Sequence, residues 1–245
     1  MVAFRSVTTS GAGNSPDGTE NHALPAGTVS GDAVSAFLFT DNSGAHSLSG
    51  GSSWGSPVET HTWNGGAYRS SSWTKVAGGS EPANYVFTFT AGYWDAIIVA
   101  HSGVDAAAAF IDATSNTGTS TSATGLGVTA TRADSFLLWF AISGTGARSG
   151  APTPGTWDNR STFDTNFYLD DRAIGAGATG NFTSAYPNQE WVVHIIGLQG
   201  PEGGGGGGGV VPGPSATTPR RTLLGVGTKP VRYGSIWAYR EREAA

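Results

Sequence analysis

A chain of 245 residues with 38 glycines, 12 prolines, no cysteine and 13% charged residues has the texture of short strands joined by turns, not of a helical or disordered protein. Without cysteine it has no disulfide frame, no thiol nucleophile and no cysteine-ligated zinc site. The net charge of −5 is uneven: residues 220–245 carry six basic and two acidic side chains, a balance of +4 that leaves −9 for residues 1–219, and an acidic body argues against a nucleic-acid surface there.

The N-terminal residues lack the apolar stretch of a secretory signal, so export by that route is not expected. The longest apolar run, 136–142, is far shorter than the roughly 18 residues of a membrane span, so membrane insertion is not expected either. Residues 2–9 alternate well enough for a first strand, and 10–18 read as loop by their Gly, Asn, Pro and Asp. Residues 33–39 (AVSAFLF) are apolar on both faces, which predicts a central strand covered on both sides. Residues 41–66 are polar and glycine-rich, and 67–76 alternate loosely.

The clearest strand is 84–90, where Tyr85, Phe87 and Phe89 share one face, expected to be buried. Residues 94–100 (WDAIIVA) follow closely enough to be its antiparallel partner. The alanines at 106–109 suit a turn or a short helix, and 114–127 read as a Ser/Thr/Gly loop. Further strands are expected at 128–131, 136–142, within 157–169 and at 191–198. Eight to ten short strands with almost no helix predict an all-β chain, an antiparallel β-sandwich of jelly-roll or lectin-like type. No internal repeat of 20 to 50 residues stands out.

The sandwich is assigned to residues 1–200. Residues 201–219 (PEGGGGGGGVVPGPSATTP) hold seven consecutive glycines followed by prolines, a composition that carries neither a hydrophobic face nor a ladder, and they form a Gly/Pro-rich linker. As a flexible chain it would average about 24 Å end to end. Residues 220–245 form a short basic segment with two apolar pieces, too small to fold alone.

Chemistry is sparse. His22, His46, His61, His101 and His194 show no metal-ligand spacing, no G-x-S-x-G elbow accompanies the serines, and no phosphate loop is present. Asp170 and Asp171 are adjacent on a strand, point to opposite faces and are expected to be solvated, and His194 is expected to be a hydrogen-bonded or edge-exposed strand residue. No catalytic residue, metal site or cofactor is predicted, and the chain reads as a non-enzyme. Trp54, Trp63, Tyr68 and Trp73 lie in one polar stretch, where two roles suit them: closing one end of the core, or stacking on a sugar ring.

The blocks LPAGTVSGDAVSAFLFTD (24–41), Trp73, SEPANYVFTFT (80–90), HSGVDAAAAFIDA (101–113) and DSFLLWFAI (134–142) occur in an order that resembles the β-sandwich module of tailed-bacteriophage virion proteins. The junction GLQGPEGGGG (197–206) and the segment LLGVGTKPVRYGSIWAY (223–239) are similar in style to minor tail proteins of phages of high-GC actinobacteria. The resemblance implies a virion part, in the tail or tail tip in preference to the capsid surface, whose partners are other virion structural proteins and a bacterial surface glycan. It implies a homo-oligomer, with a trimer favoured. A capsid decoration protein or head fibre and a carbohydrate-binding module are the alternatives. Virion anchoring is assigned to Arg220, Arg221, Leu223, Leu224, Val231, Tyr233, Ile236, Trp237 and Tyr239.

Overall fold

Glycine and proline recur along the chain, and the apolar runs between them are rich in β-branched and aromatic residues, so these runs become strands and no long helix forms among the described residues. The computed structural model describes residues 1–202 apart from 145 and 165. Nearly all of the linker and the whole basic segment, including the anchor residues assigned at 220–239, lie outside the described residues. The first half contributes β1 (Ala3–Ser15), β2 (Thr19–Ala23), β3 (Ala33–Thr40), β4 (Ser47–Ser49), β5 (Glu59–Trp63), β6 (Tyr68–Val76), β7 (Asn84–Thr88) and β8 (Gly92–Ser102). The second contributes β9 (Phe110–Gly125), β10 (Thr129–Ala130), β11 (Ser135–Ser143), β12 (Asp158–Phe163), β13 (Phe167–Ile174), β14 (Gly177–Ala178) and β15 (Phe182–Leu198).

Two five-stranded antiparallel sheets, ordered β1-β8-β3-β6-β5 and β9-β15-β11-β13-β12, form a β-sandwich. Their facing sides meet through Phe37, Phe39, Ile97 and Val99 from one sheet and Leu138, Phe140, Phe167, Leu169, Val192 and Ile196 from the other. The outer face of the first sheet is also buried. There Ala36, Leu38, Trp73 and Ile98 pack under Leu48, Tyr85 and Phe87 of a third sheet, β2-β7-β4, and under Trp54. The outer face of the second sheet, with Leu137, Trp139, Val193 and Ile195, is covered by Val128, Ala130, Trp157, Phe182 and Tyr186. This double cover is why β3 and β11 are buried along their whole length and read as continuous apolar runs.

The two halves have one topology. Replacing β1, β8, β3, β6 and β5 by β9, β15, β11, β13 and β12 reproduces the strand order. Ala36 pairs with Ile98 and Trp73, and Trp139 pairs with Ile195 and Asp170. Residues 69–103 therefore correspond to 166–200 at a constant offset of 97, with identity only at Gly78/Gly175, Asn84/Asn181, Trp94/Trp191, Ile98/Ile195 and Gly103/Gly200. The sequence shows no internal repeat of 20 to 50 residues. The repeat spans half of the body, so its period lies beyond 20–50 residues, and volume is exchanged between strands. Trp73 on β6 faces Ala36 in one half, whereas Trp139 on β11 faces Asp170 in the other.

Several local expectations are corrected. The Ser/Thr/Gly stretch 114–127 is not loop: it lies largely within β9, a strand of 16 residues that pairs with β15 from Phe110↔Leu198 to Gly125↔Phe182. β9 stands at a sheet edge, where one side of the strand meets solvent and hydroxyl side chains cost little. β1 likewise continues through Ser15, passing Gly11 and Gly13 by a bulge opposite Asp95 and Trp94. β7 and β8 are not partners. β7 leaves for the third sheet while β8 pairs with β1 and β3. The alanines at 106–108 form a turn, one of the two conformations expected for them. Asp170 and Asp171 are fully buried instead of solvated, each on a different face of the second sheet and each paired with a cation or a histidine.

Candidate functional site

Strand alternation sends some polar residues of the central strands into the core, and each meets a partner there. His194, on the inner face of β15, reaches across the sandwich to β6, with Nε2 2.8 Å from the Ser70 hydroxyl and Nδ1 3.0 Å from that of Ser72. A neutral ring satisfies both contacts by donating at one nitrogen and accepting at the other, and burial pulls its pKa down from 6.5 to about 3, with His61 adding to the effect. His101 on β8 reaches the other way, its Nε2 2.9 Å from Asp171, which also accepts from Arg160 Nε at 2.9 Å. On the outer face Arg148 pairs with Asp170 and lies over the ring of Tyr168. These groups bind one another across the layers, and their arrangement is that of structural cross-links.

The four aromatic candidates do not come together. Trp54 and Trp73 are buried in the outer layer of the first sheet, and Trp63 is buried in the central core, where it packs edge-on to the half-buried Tyr68 with centroids 4.9 Å apart. Trp54 forms the lid over Tyr85 and Lys75, 4.7 Å from the lysine nitrogen.

Trp63 nonetheless borders a cleft open to solvent. The β5–β6 hairpin ends in Asn64 and Gly65, both at positive φ (51° and 62°), a turn that asparagine and glycine tolerate. It overhangs the β9 edge, leaving a cleft of about 220 Å³ lined by Trp63, Asn64, Thr117, Gly118, Thr119 and Glu190. Gly118 forms its floor because the Trp191 ring lies beneath: a Cβ there would stand 2.7 Å from the indole. Hydroxyls, an amide and a carboxylate around an aromatic edge suit a small polyhydroxylated ligand. Sequence inspection singled out Trp63 but missed Thr117, Thr119 and Glu190, which lie more than 50 residues away and are joined to it by the packing of β5 against β9 and β15. The Glu59 carboxylate accepting from Ser115 at 2.7 Å marks that contact.

The corresponding place in the other half is differently filled. There the hairpin ends in Phe163 and Asp164, the latter also at positive φ (46°), and Tyr93 stands where Glu190 does. The Tyr93 hydroxyl donates to Asp164 at 2.7 Å, and burial together with that carboxylate drives its pKa upward. Among the described residues no group of three His, Asp or Glu side chains could hold a metal ion, and no helix is long and apolar enough to cross a membrane. Neither protein-family models, nor curated proteins, nor solved structures compared with this chain give a match.

Proposed function

We propose that the chain is a structural protein of a tailed-bacteriophage particle, a minor tail or tail-tip component that presents the sandwich outward and is held by residues 220–245 through the glycine-rich linker. The observation that carries this reading is the closure of the body on itself. Both sheets are covered on both faces, and the buried ion pairs and histidines tie layer to layer, an arrangement suited to a rigid module displayed at the end of a tether. The block order of residues 24–142 supports the same assignment. Deleting residues 220–245 is the test: the truncated protein is expected to fold and to be absent from purified particles. Its incorporation at normal copy number would overturn the anchoring role. Labelling intact particles with an antibody to the sandwich separates a tail position from a capsid decoration or head fibre.

A second reading, a carbohydrate-binding module, is favoured by the Trp63 cleft. Its test is a glycan array probed with the intact chain and with Glu190→Tyr combined with Asn64→Asp, which sets a tyrosine and a carboxylate at the cleft in the manner of the Tyr93–Asp164 pair of the other half. Binding that the double variant loses supports the reading; a blank array for the intact chain removes it.

A further inference from the structure

The turns that follow β6 and β13 hold corresponding places in the two halves, and their residues match one to one. In the first, Glu81 folds back over the turn. Its carboxylate accepts from Lys75 Nζ at 2.7 Å, the Gly78 N–H at 2.6 Å, the Tyr85 hydroxyl at 2.9 Å and the Ser52 hydroxyl at 3.0 Å. Lys75 is itself sandwiched by aromatic rings, its Nζ 4.7 Å and 4.6 Å from the centroids of Trp54 and Tyr85.

In the second turn the cation and its aromatic walls are kept. Arg172 takes the place of Lys75, Gly175 that of Gly78 and Phe182 that of Tyr85, and the guanidinium lies 5.5 Å from the ring centroids of both Trp157 and Phe182. The carboxylate is missing: the position of Glu81 is held by Ala178. A cleft of about 280 Å³ opens there, lined by Arg172, Gly175, Ala178, Thr179 and Phe182 among others. Arg172 donates from Nη1 to the Pro154 carbonyl at 2.7 Å, its Nε is buried without a partner, and no carboxylate of the described residues pairs with it. Of the described lysines and arginines only Arg69 shares that lack of an ion pair, and it lines neither cleft.

We infer that this second cleft is a binding site for a carboxylate carried by a ligand, with Arg172 as its counter-charge. A guanidinium walled by aromatic rings and without an internal carboxylate is a strong carboxylate receptor, and the first half shows what fills such a site when the chain supplies the carboxylate itself. The inference concerns the Arg172 turn alone and does not depend on where the protein is displayed.

The test is an amide-resolved NMR titration of the full chain at constant ionic strength with acetate, with glucuronate and with glucose as the uncharged control. Saturable shifts at Gly175, Ala176, Gly177 and Ala178 with the two carboxylates, and none with glucose, are expected. Glucuronate binding about fivefold or more tighter than acetate assigns the site to an acidic sugar, and equal binding assigns it to the carboxylate alone; both support the site. Ala178→Glu supplies the group in cis and is expected to weaken acetate binding more than about tenfold, and Arg172→Met provides the same loss if the first variant does not fold. Absence of saturable shifts with both carboxylates, or unchanged affinity in Ala178→Glu, overturns the inference whatever the fate of the virion reading.

Discussion

Phe37 and Phe140 stack with their rings parallel and displaced across the middle of the sandwich, with ring centroids 5.5 Å apart and planes 9° from parallel. They hold corresponding positions on the central strands of the two halves, opposite Ile97 and His194 respectively. The contact therefore joins the two sheets at the point where each half meets its counterpart.

Truncating either ring removes a fully buried side chain from a site walled on both sides by sheet. Phe37→Ala or Phe140→Ala is expected to cost about 3–5 kcal/mol in urea unfolding. Because each ring is the other's neighbour, the double variant should cost clearly less than the two single losses together. Strict additivity would show that the stack is not an energetic unit.

Acid should weaken the fold. Burial lowers the pKa of His22 from 6.5 to about 4, against the pull of the Thr8 carbonyl, and that of His46 to about 3, with Arg69 adding to it; His194 falls to about 3. The folded values lie below the unfolded ones, so the unfolded chain takes up protons first. Stability is complete above about pH 6.5 and falls as pH drops toward the folded values, by up to about 1.4 kcal/mol per histidine per pH unit. The urea midpoint is expected to drop between pH 7 and pH 5, and His194→Gln should make that slope shallower. An unchanged midpoint would mean that these rings accept protons within the fold.

Lys75 and Glu81 form an ion pair with side chains only 5% and 6% exposed. Glu81→Ala strands the lysine among aromatic rings and is expected to cost about 3–5 kcal/mol, while Lys75→Met with Glu81→Leu should recover most of it, since an apolar pair avoids desolvating two charges. Thermal melts of the three chains check this. A double variant as weak as the single one would show that the Gly78 and Tyr85 hydrogen bonds to Glu81 carry the energy.

Two neighbouring glycines should respond in opposite ways. Gly11 has φ of +128°, and a Cβ there would lie 2.4 Å from the Trp94 carbonyl oxygen, whereas nothing lies within 4 Å of a Cβ on Gly13. Gly11→Ala is expected to lower stability by more than about 1 kcal/mol, and Gly13→Ala to be neutral or to stabilise by up to about 1 kcal/mol. Equal effects would mean that the bulge of β1 shifts to accommodate either residue.

The sequence by itself determined the class of the fold, because strand formation in this chain follows from neighbours a few residues apart. The alternation of Tyr85, Phe87 and Phe89, the double-faced apolar runs at β3 and β11, and the turns punctuated by glycine and proline are all local signals. What only the tertiary structure decided depends on groups far apart in the chain. The polar stretch of β9 becomes a strand because β15 offers it a ladder. Asp170 and Asp171 are buried because Arg148, Arg160 and His101 neutralise or bond them from other elements. The Trp63 cleft exists because β5 meets β9, and the turns around Glu81 and Ala178 become comparable once the two halves are known to correspond. Periodicity reports which face of a strand is apolar; it carries no information on which strand, or which charge, will lie opposite.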